Sequence, residues 1–217
     1  MSKAMSKSDS KDGFLFVGNQ VALDFLNTRP VLNGEPSELL PDFSALLRWF
    51  QAADLLNARQ VGSLQRQWGG SANAQRTTEA FRQLREKLRK EILVWECSGS
   101  VQHSTQDQLN KLMAQHPMRT RLSRDGKSCA TELWFEPREP EALFAPLAHS
   151  AATLFASVDP KRVRKCAQCV LHFHDTSKKG TRRWCSMQLC GNRFKVAAYA
   201  TRRRQSAHKA HKNDTGV

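Results

Sequence analysis

The chain has 217 residues, an apolar content of 40%, and 34 Lys and Arg against 20 Asp and Glu, a net charge of +14. That length holds one ordinary core plus a small appended module, and no apolar run approaches the roughly 20 residues of a membrane span. The charge is concentrated at one end: residues 161–217 carry fifteen Lys and Arg against Asp175 and Asp214, a net of +13, which leaves +1 for the first 160.

Residues 1–13 are rich in Ser, Lys and Asp, lack the apolar stretch of a signal peptide, and read as a disordered lead. A cytoplasmic location is the corresponding expectation, with thiols kept reduced. Residues 14–28 (FLFVGNQVALDFLNT) are densely apolar and predict a short strand over 14–17, a turn at Gly18-Asn19, and then a helix. Asp24 and Asn27 inside this run read as buried hydrogen-bonding or capping groups, because buried polar groups need partners. A ligand contact is the alternative reading. Pro30, Gly34, Pro36 and Pro41 make residues 29–41 a loop.

Asp42 or Ser44 can cap the next helix, in which Phe43, Leu46, Leu47, Phe50 and Ala53 follow amphipathic spacing. A second helical stretch covers 58–68 and stops at Gly69-Gly70. The strongest helical pattern runs over 77–96, with Phe81, Leu84, Leu88, Ile92 and Trp95 as its apolar stripe. Its Arg82, Arg85, Glu86, Lys87, Arg89 and Lys90 read as a solvated face. Another helix is expected over 105–115, ended by Pro117. Residues 118–124 and 129–135 flank Asp125-Gly126, a hairpin signal. Residues 141–158 predict a further helix, in which Pro146 either makes a kink or marks the first turn. Asp159-Pro160 is the expected junction to the C-terminal module. Cys97 and Cys129 read as reduced, buried small hydrophobes.

That module holds Cys166-x2-Cys169-x15-Cys185-x4-Cys190. Two short-spaced cysteine pairs across a mid-length gap are a strong signature of a zinc site. Apolar residues are too few from 165 to 204 to hold forty residues unaided, whereas a structural zinc contributes on the order of 10–16 kcal/mol of apparent binding free energy in peptide models. Between the pairs, 171–174 and 181–184 predict two strands joined by a turn at Gly180. Residues after Cys190 have a helical composition, with Lys195, Tyr199 and Arg202 on one face and Phe194, Ala198 and Thr201 on another. His172 and His174 are alternative ligands, but four cysteines already complete a tetrahedral set. Four thiolates around Zn(II) leave a local charge of about −2. Some nearby cations therefore offset that charge instead of meeting a partner. No phosphate loop, nucleophile elbow or second metal cluster occurs, and four thiolates leave no open coordination position, so no enzyme activity is expected.

The stretch WCSMQLCGNRFKVAAYATRRR resembles the CGNR zinc-finger family, with the tetrad at Cys190-Gly191-Asn192-Arg193. The likeness extends back through Cys166-Ala-Gln-Cys169, Phe173-His-Asp175 and Arg183-Trp184-Cys185-Ser186-Met187. Upstream, FVGNQVALDFLNT is similar to the opening of the ABATE-type domain that accompanies this finger in bacterial proteins, a family described as stress-induced transcription regulators. The resemblance implies one structural zinc ion held by Cys166, Cys169, Cys185 and Cys190. It also implies a tight turn at Gly191, helix-start hydrogen bonding by Asn192, and either phosphate contact or thiolate compensation by Arg193.

Together these readings divide the chain into a disordered lead (1–13), an ABATE-type domain (14–159), a CGNR-type finger (160–204) and a basic disordered tail (205–217). The fold class is α+β: a mostly helical N-terminal domain with a β-hairpin, plus a small treble-clef-like zinc finger. The expected function is transcription regulation through double-stranded DNA, with Arg182, Arg183, Arg193, Lys195, Arg202, Arg203 and Arg204 as the contacts. The N-terminal domain would sense a small-molecule effector or mediate assembly, a homodimer among the options. RNA binding and a zinc-dependent protein-interaction or redox-sensing module are the alternatives.

Overall fold

A computed structural model describes residues 9–32, 34–126, 128–192 and 195–196. The chain enters the fold earlier than its composition suggests: β1 (Ser10–Lys11) pairs antiparallel with β2 (Phe14–Leu15) across a turn at Asp12 and Gly13. Burial of Phe14 in the core supplies the reason, because it pulls the preceding residues into register. Gly18 then turns the chain into α1 (Val21–Leu26). A Cβ at Gly18 would lie 2.7 Å from the Leu23 Cβ and 2.8 Å from the Asp24 nitrogen, so only glycine fits there. The Asp24 carboxylate accepts the Gly18 N–H at 2.7 Å, which is the buried hydrogen-bonding role expected for it.

The proline-rich segment contains a small ladder, β3 (Val31–Leu32) against β4 (Glu35–Pro36), within the expected loop. Asp42, not Ser44, caps α2 (Phe43–Ala52), accepting the Ala45 N–H at 2.8 Å. Helix α3 (Ala58–Trp68) opens on a capping box between Asn57 and Gln60. Helix α4 (Ala72–Ser98) starts five residues before the expected position 77 because Ser71 caps it, and it ends at Gly99 in the left-handed conformation. Helix α5 (His103–Gln115) follows.

All five stripe residues of α4 are buried. They join an aromatic core in which Phe81 stacks on Phe144 at 4.0 Å and Phe25 packs on Trp49 at 5.6 Å. The opposite face of α4 is not the solvated face expected. Arg85 is 1% exposed, donates to both oxygens of Glu38 and reaches the Thr28 hydroxyl at 2.9 Å. Arg82 donates to the Leu40 and Pro41 carbonyls, and Arg89 to the Leu26 carbonyl at 2.6 Å. Arg89 thus takes up a carbonyl that the end of α1 leaves without a helical partner, while Arg85 and Arg82 tie α4 to the loop between α1 and α2.

Strands β5 (Arg119–Asp125) and β6 (Ser128–Trp134) form the expected hairpin, with Asp125 opposite Ser128, so the tight turn sits one residue later than Asp125-Gly126. The hairpin projects: Leu122 is 71% exposed. Cys129 on this hairpin and Cys97 near the end of α4 are both exposed, contrary to the expectation of burial. Cys97 falls outside the α4 stripe, and among the described residues β6 is exposed along nearly its whole length. A 3-10 turn (Pro140–Leu143) leads into α6 (Phe144–Ser157). Pro146 falls in the first turn, where its missing N–H would have had no helical partner.

The finger begins with a short turn at Pro160–Arg162 capped by Asp159. Its two strands are β7 (Val163–Lys165) and β8 (His172–His174), antiparallel, with the first cysteine pair in the loop between them. Residues 181–184 are not the second strand expected. Asp175 is fully buried, accepts the Ser177 and Arg182 N–H groups at 2.9 and 2.8 Å, and folds 175–182 into a loop instead. A wide helical turn, Met187–Gly191, follows, closed by the Gly191 N–H on the Ser186 carbonyl at 3.0 Å. The result is α+β: a mostly helical N-terminal region with small hairpins, followed by a treble-clef-like finger whose second cysteine pair opens a helical turn.

Candidate metal centre and basic surface

Cys166, Cys185 and Cys190 are placed by backbone bonds. The Cys166 N–H donates to the Leu171 carbonyl at 2.8 Å, closing the first knuckle onto β8. The Ala167 N–H donates to the Arg183 carbonyl at 3.0 Å, and the Cys185 N–H to the Cys166 sulfur at 3.3 Å, which joins the two knuckles. Ser186 caps the turn that carries Cys190, its hydroxyl accepting the N–H groups of Gln188 and Leu189 at 3.0 and 3.1 Å.

These bonds bring the four sulfurs within 4.8 Å of one another. Cys169 and Cys190 each lie 3.7 Å from Cys185. A tetrahedral zinc with Zn–S bonds of about 2.3 Å requires sulfurs about 3.8 Å apart, so the set fits the ion. Thiols this close cannot all ionise on their own. The hydrogen bond from Cys185 brings Cys169 down to about 5. That same bond, with burial, drives Cys185 far up, and burial beside the Cys169 thiolate pushes Cys190 up to about 12. A dication supplies the compensation that lets all four serve as thiolates. Cys166, Cys185 and Cys190 are buried and Cys169 is half-buried.

The histidines are not in this set. His172 is 2% exposed and turned away from the sulfurs, with its Nε2 3.9 Å from the Glu96 carboxylate of α4. Burial, with Arg89 and Lys165 nearby, lowers it to about 4. Burial also raises Glu96 to about 7, against the pull of Lys165.

The basic residues divide into two groups. Arg182 lies 4.5 Å over the Phe173 ring and donates to the Trp184 and Cys185 carbonyls. Arg162 donates to the Asp175 and Ser177 carbonyls at 3.1 and 3.0 Å, and Arg164 to the Gly180 carbonyl at 2.8 Å. These three hold the 175–182 loop on the knuckles. By contrast Lys178, Lys179, Arg183 and Lys195 are exposed, with Arg183 5.5 Å from the Trp184 ring. Lys178 and Lys179 were passed over in the sequence, although the lysine pair before a turn glycine was a readable signal. Arg193 and Arg202, Arg203 and Arg204 lie outside the described residues, as do the 197–217 segment and the apolar helix face expected around Phe194.

Gly191 lies in the turn that its own N–H closes on the Ser186 carbonyl, outside the left-handed region, with the Met187 side chain packed over its Cα. Asn192 closes the same turn through its backbone N–H on the Met187 carbonyl.

Residues 19–158 match the ABATE family, described as "Putative stress-induced transcription regulator", and residues 162–203 match the CGNR zinc finger. No curated protein matches the chain. The finger match and the four-sulfur cluster together identify the cofactor as one structural zinc ion. Neither family is an enzyme family. Among the described residues no helix is long and apolar enough to cross a membrane.

Proposed function

The chain belongs to the ABATE family and carries a CGNR zinc finger, and from that premise we propose that it regulates transcription by binding double-stranded DNA through the finger. One observation carries the reading. Asp175 is the only acidic residue between positions 161 and 213, and it is fully buried with its carboxylate spent on backbone N–H groups. Within 161–192 and 195–196 the charged side chains that reach solvent are therefore all cationic, Lys161, Lys165, Lys178, Lys179, Arg183 and Lys195 among them, continued in sequence by Arg193 and Arg202 to Arg204. Such a surface suits a phosphate backbone. Arg182 contributes from inside, by fixing the loop that displays the two lysines. In this reading the N-terminal domain senses an effector or mediates assembly.

The test is a gel-shift titration of zinc-loaded protein on duplex DNA across salt concentrations. Engagement of roughly six phosphates gives a log–log slope of about −5. Replacing Lys178, Lys179 and Arg183 together by alanine should flatten the slope by about 3 units. Binding that is absent or indifferent to salt overturns the reading. Single-stranded RNA as competitor separates the RNA alternative. Partial burial of Trp184 beneath Arg183 disfavours base stacking there.

Cys169 favours a second reading, redox sensing. It is the least buried of the four sulfurs and the one an oxidant meets first. Peroxide treatment should then release zinc together with DNA, and zinc retained under peroxide argues against it.

A further inference from the structure

We propose that Asn27 and Asp9, both outside the finger, are positioning residues of the zinc centre, so that the N-terminal domain supplies part of the metal site's outer shell. Strand β8 has β7 along one edge. On its other edge the backbone groups of His172 and His174 face the N-terminal domain, and all four are satisfied there. The Asn27 amide pairs with His172 like a neighbouring strand, accepting its N–H at 2.9 Å and donating to its carbonyl at 2.9 Å. The His174 N–H donates to the Gly18 carbonyl at 2.8 Å, and the Asn19 amide donates to the His174 carbonyl at 2.9 Å. Asn27 is 1% exposed, so neither half of its amide has water as a substitute.

What this edge holds is the first cysteine pair. Leu171, adjacent to His172, takes the Cys166 N–H on its carbonyl at 2.8 Å and so closes the loop that carries Cys169. The second pair is held by the other residue. The Ser186 hydroxyl donates to an Asp9 carboxylate oxygen. A hydroxyl has one proton and two lone pairs, so an acceptor-only partner at Asp9 leaves both lone pairs for the N–H groups of Gln188 and Leu189. The finger's small core is shared in the same way, since Val17 and Leu15 pack with Cys166, Leu171, Phe173, Cys185 and Cys190.

Outer-shell partners of metal ligands typically govern 10–100-fold in metal affinity. The experiment uses the full chain and competition with a chromophoric chelator to read zinc affinity, with cobalt substitution reporting thiolate geometry by absorption. Asn27→Ala should weaken zinc about 10–100-fold and broaden the cobalt–thiolate bands, and Asp9→Ala should weaken it up to about 10-fold. Leu109→Ala, in the core away from the finger, should lower the melting temperature while leaving zinc affinity within twofold. Asp9 is partly exposed and its variant keeps the core intact, so it decides the matter if Asn27→Ala does not fold. Zinc affinity unchanged in both Asn27→Ala and Asp9→Ala, or weakened equally by Leu109→Ala, overturns the proposal. Either result leaves the DNA reading untouched, because no nucleic acid enters the measurement.

Discussion

Around Trp49, Phe50, Phe81 and Phe144 the N-terminal region closes over an interlocked aromatic core, whereas among the described residues the finger's own cluster buries Leu171, Phe173 and three cysteines, with Val17 borrowed from outside. The first region is held by area removed from water, which tolerates the loss of any one side chain at a few kcal/mol. The second is held by an ion and by directional bonds to backbone, which lose their effect once one partner is missing. The arginines show the same contrast on a smaller scale. Arg85 is buried against the helical core and pairs with the partly exposed Glu38, while Arg162, Arg164 and Arg182 brace a loop against carbonyls because the finger has little apolar surface to press it down.

Removing a sulfur should split the two regions most sharply. Cys185→Ser should abolish stoichiometric zinc binding by elemental analysis and expose 160–192 to protease, while helical circular dichroism from the N-terminal region persists. A single cooperative loss of all structure would break the comparison. The converse variant, Phe81→Ala, should destabilise the N-terminal region by about 3–5 kcal/mol in urea titrations, with zinc still bound in the folded protein. Arg85→Ala removes the buried member of a pair whose other member, Glu38, is partly solvated, and should cost about 1–3 kcal/mol, and Arg85→Met combined with Glu38→Gln should recover much of that.

The smallest effect concerns Glu96, which meets His172 of β8 and Lys165 of β7 where the two regions touch. Its carboxyl is raised by burial to about 7 from an ordinary value near 4.5, so folding favours the protonated form. That contribution is complete below the ordinary value and is lost as pH rises through about 7. His172, lowered to about 4, opposes folding in the other direction as pH falls below its ordinary value. Glu96→Gln removes only the first effect. Its melting temperature relative to the parent should therefore rise between pH 5 and pH 8, and a constant difference would show that the carboxyl does not titrate in that interval.

Much of the N-terminal fold was readable because helices declare themselves locally. The spacing of Phe81, Leu84, Leu88, Ile92 and Trp95, the Gly69-Gly70 stop and the Pro146 first turn all act within a few residues. Ser71 and Asn57 cap their helices with side chains that belong to the same local code. The expected strand at 181–184 failed because local β-propensity carries no information about Asp175, whose bonds to the Ser177 and Arg182 N–H groups commit that segment to a loop. Cys97, Cys129 and Arg85 were misplaced for a related reason: burial depends on which element covers a face, and a hydropathy pattern does not contain that.

By itself, the sequence determined the quartet of metal-binding sulfurs, the helical character of the first 158 residues and the concentration of positive charge beyond them. Those properties reside in residue type and short spacing. Tertiary structure alone decided that Asn27 and His172, separated by 145 positions, would share a backbone-like pair, that Asp9 would orient Ser186, and that three of the finger's arginines would turn inward. A hydrogen bond between distant residues forms only once the packing that aligns them exists, and that alignment is a property of the whole chain.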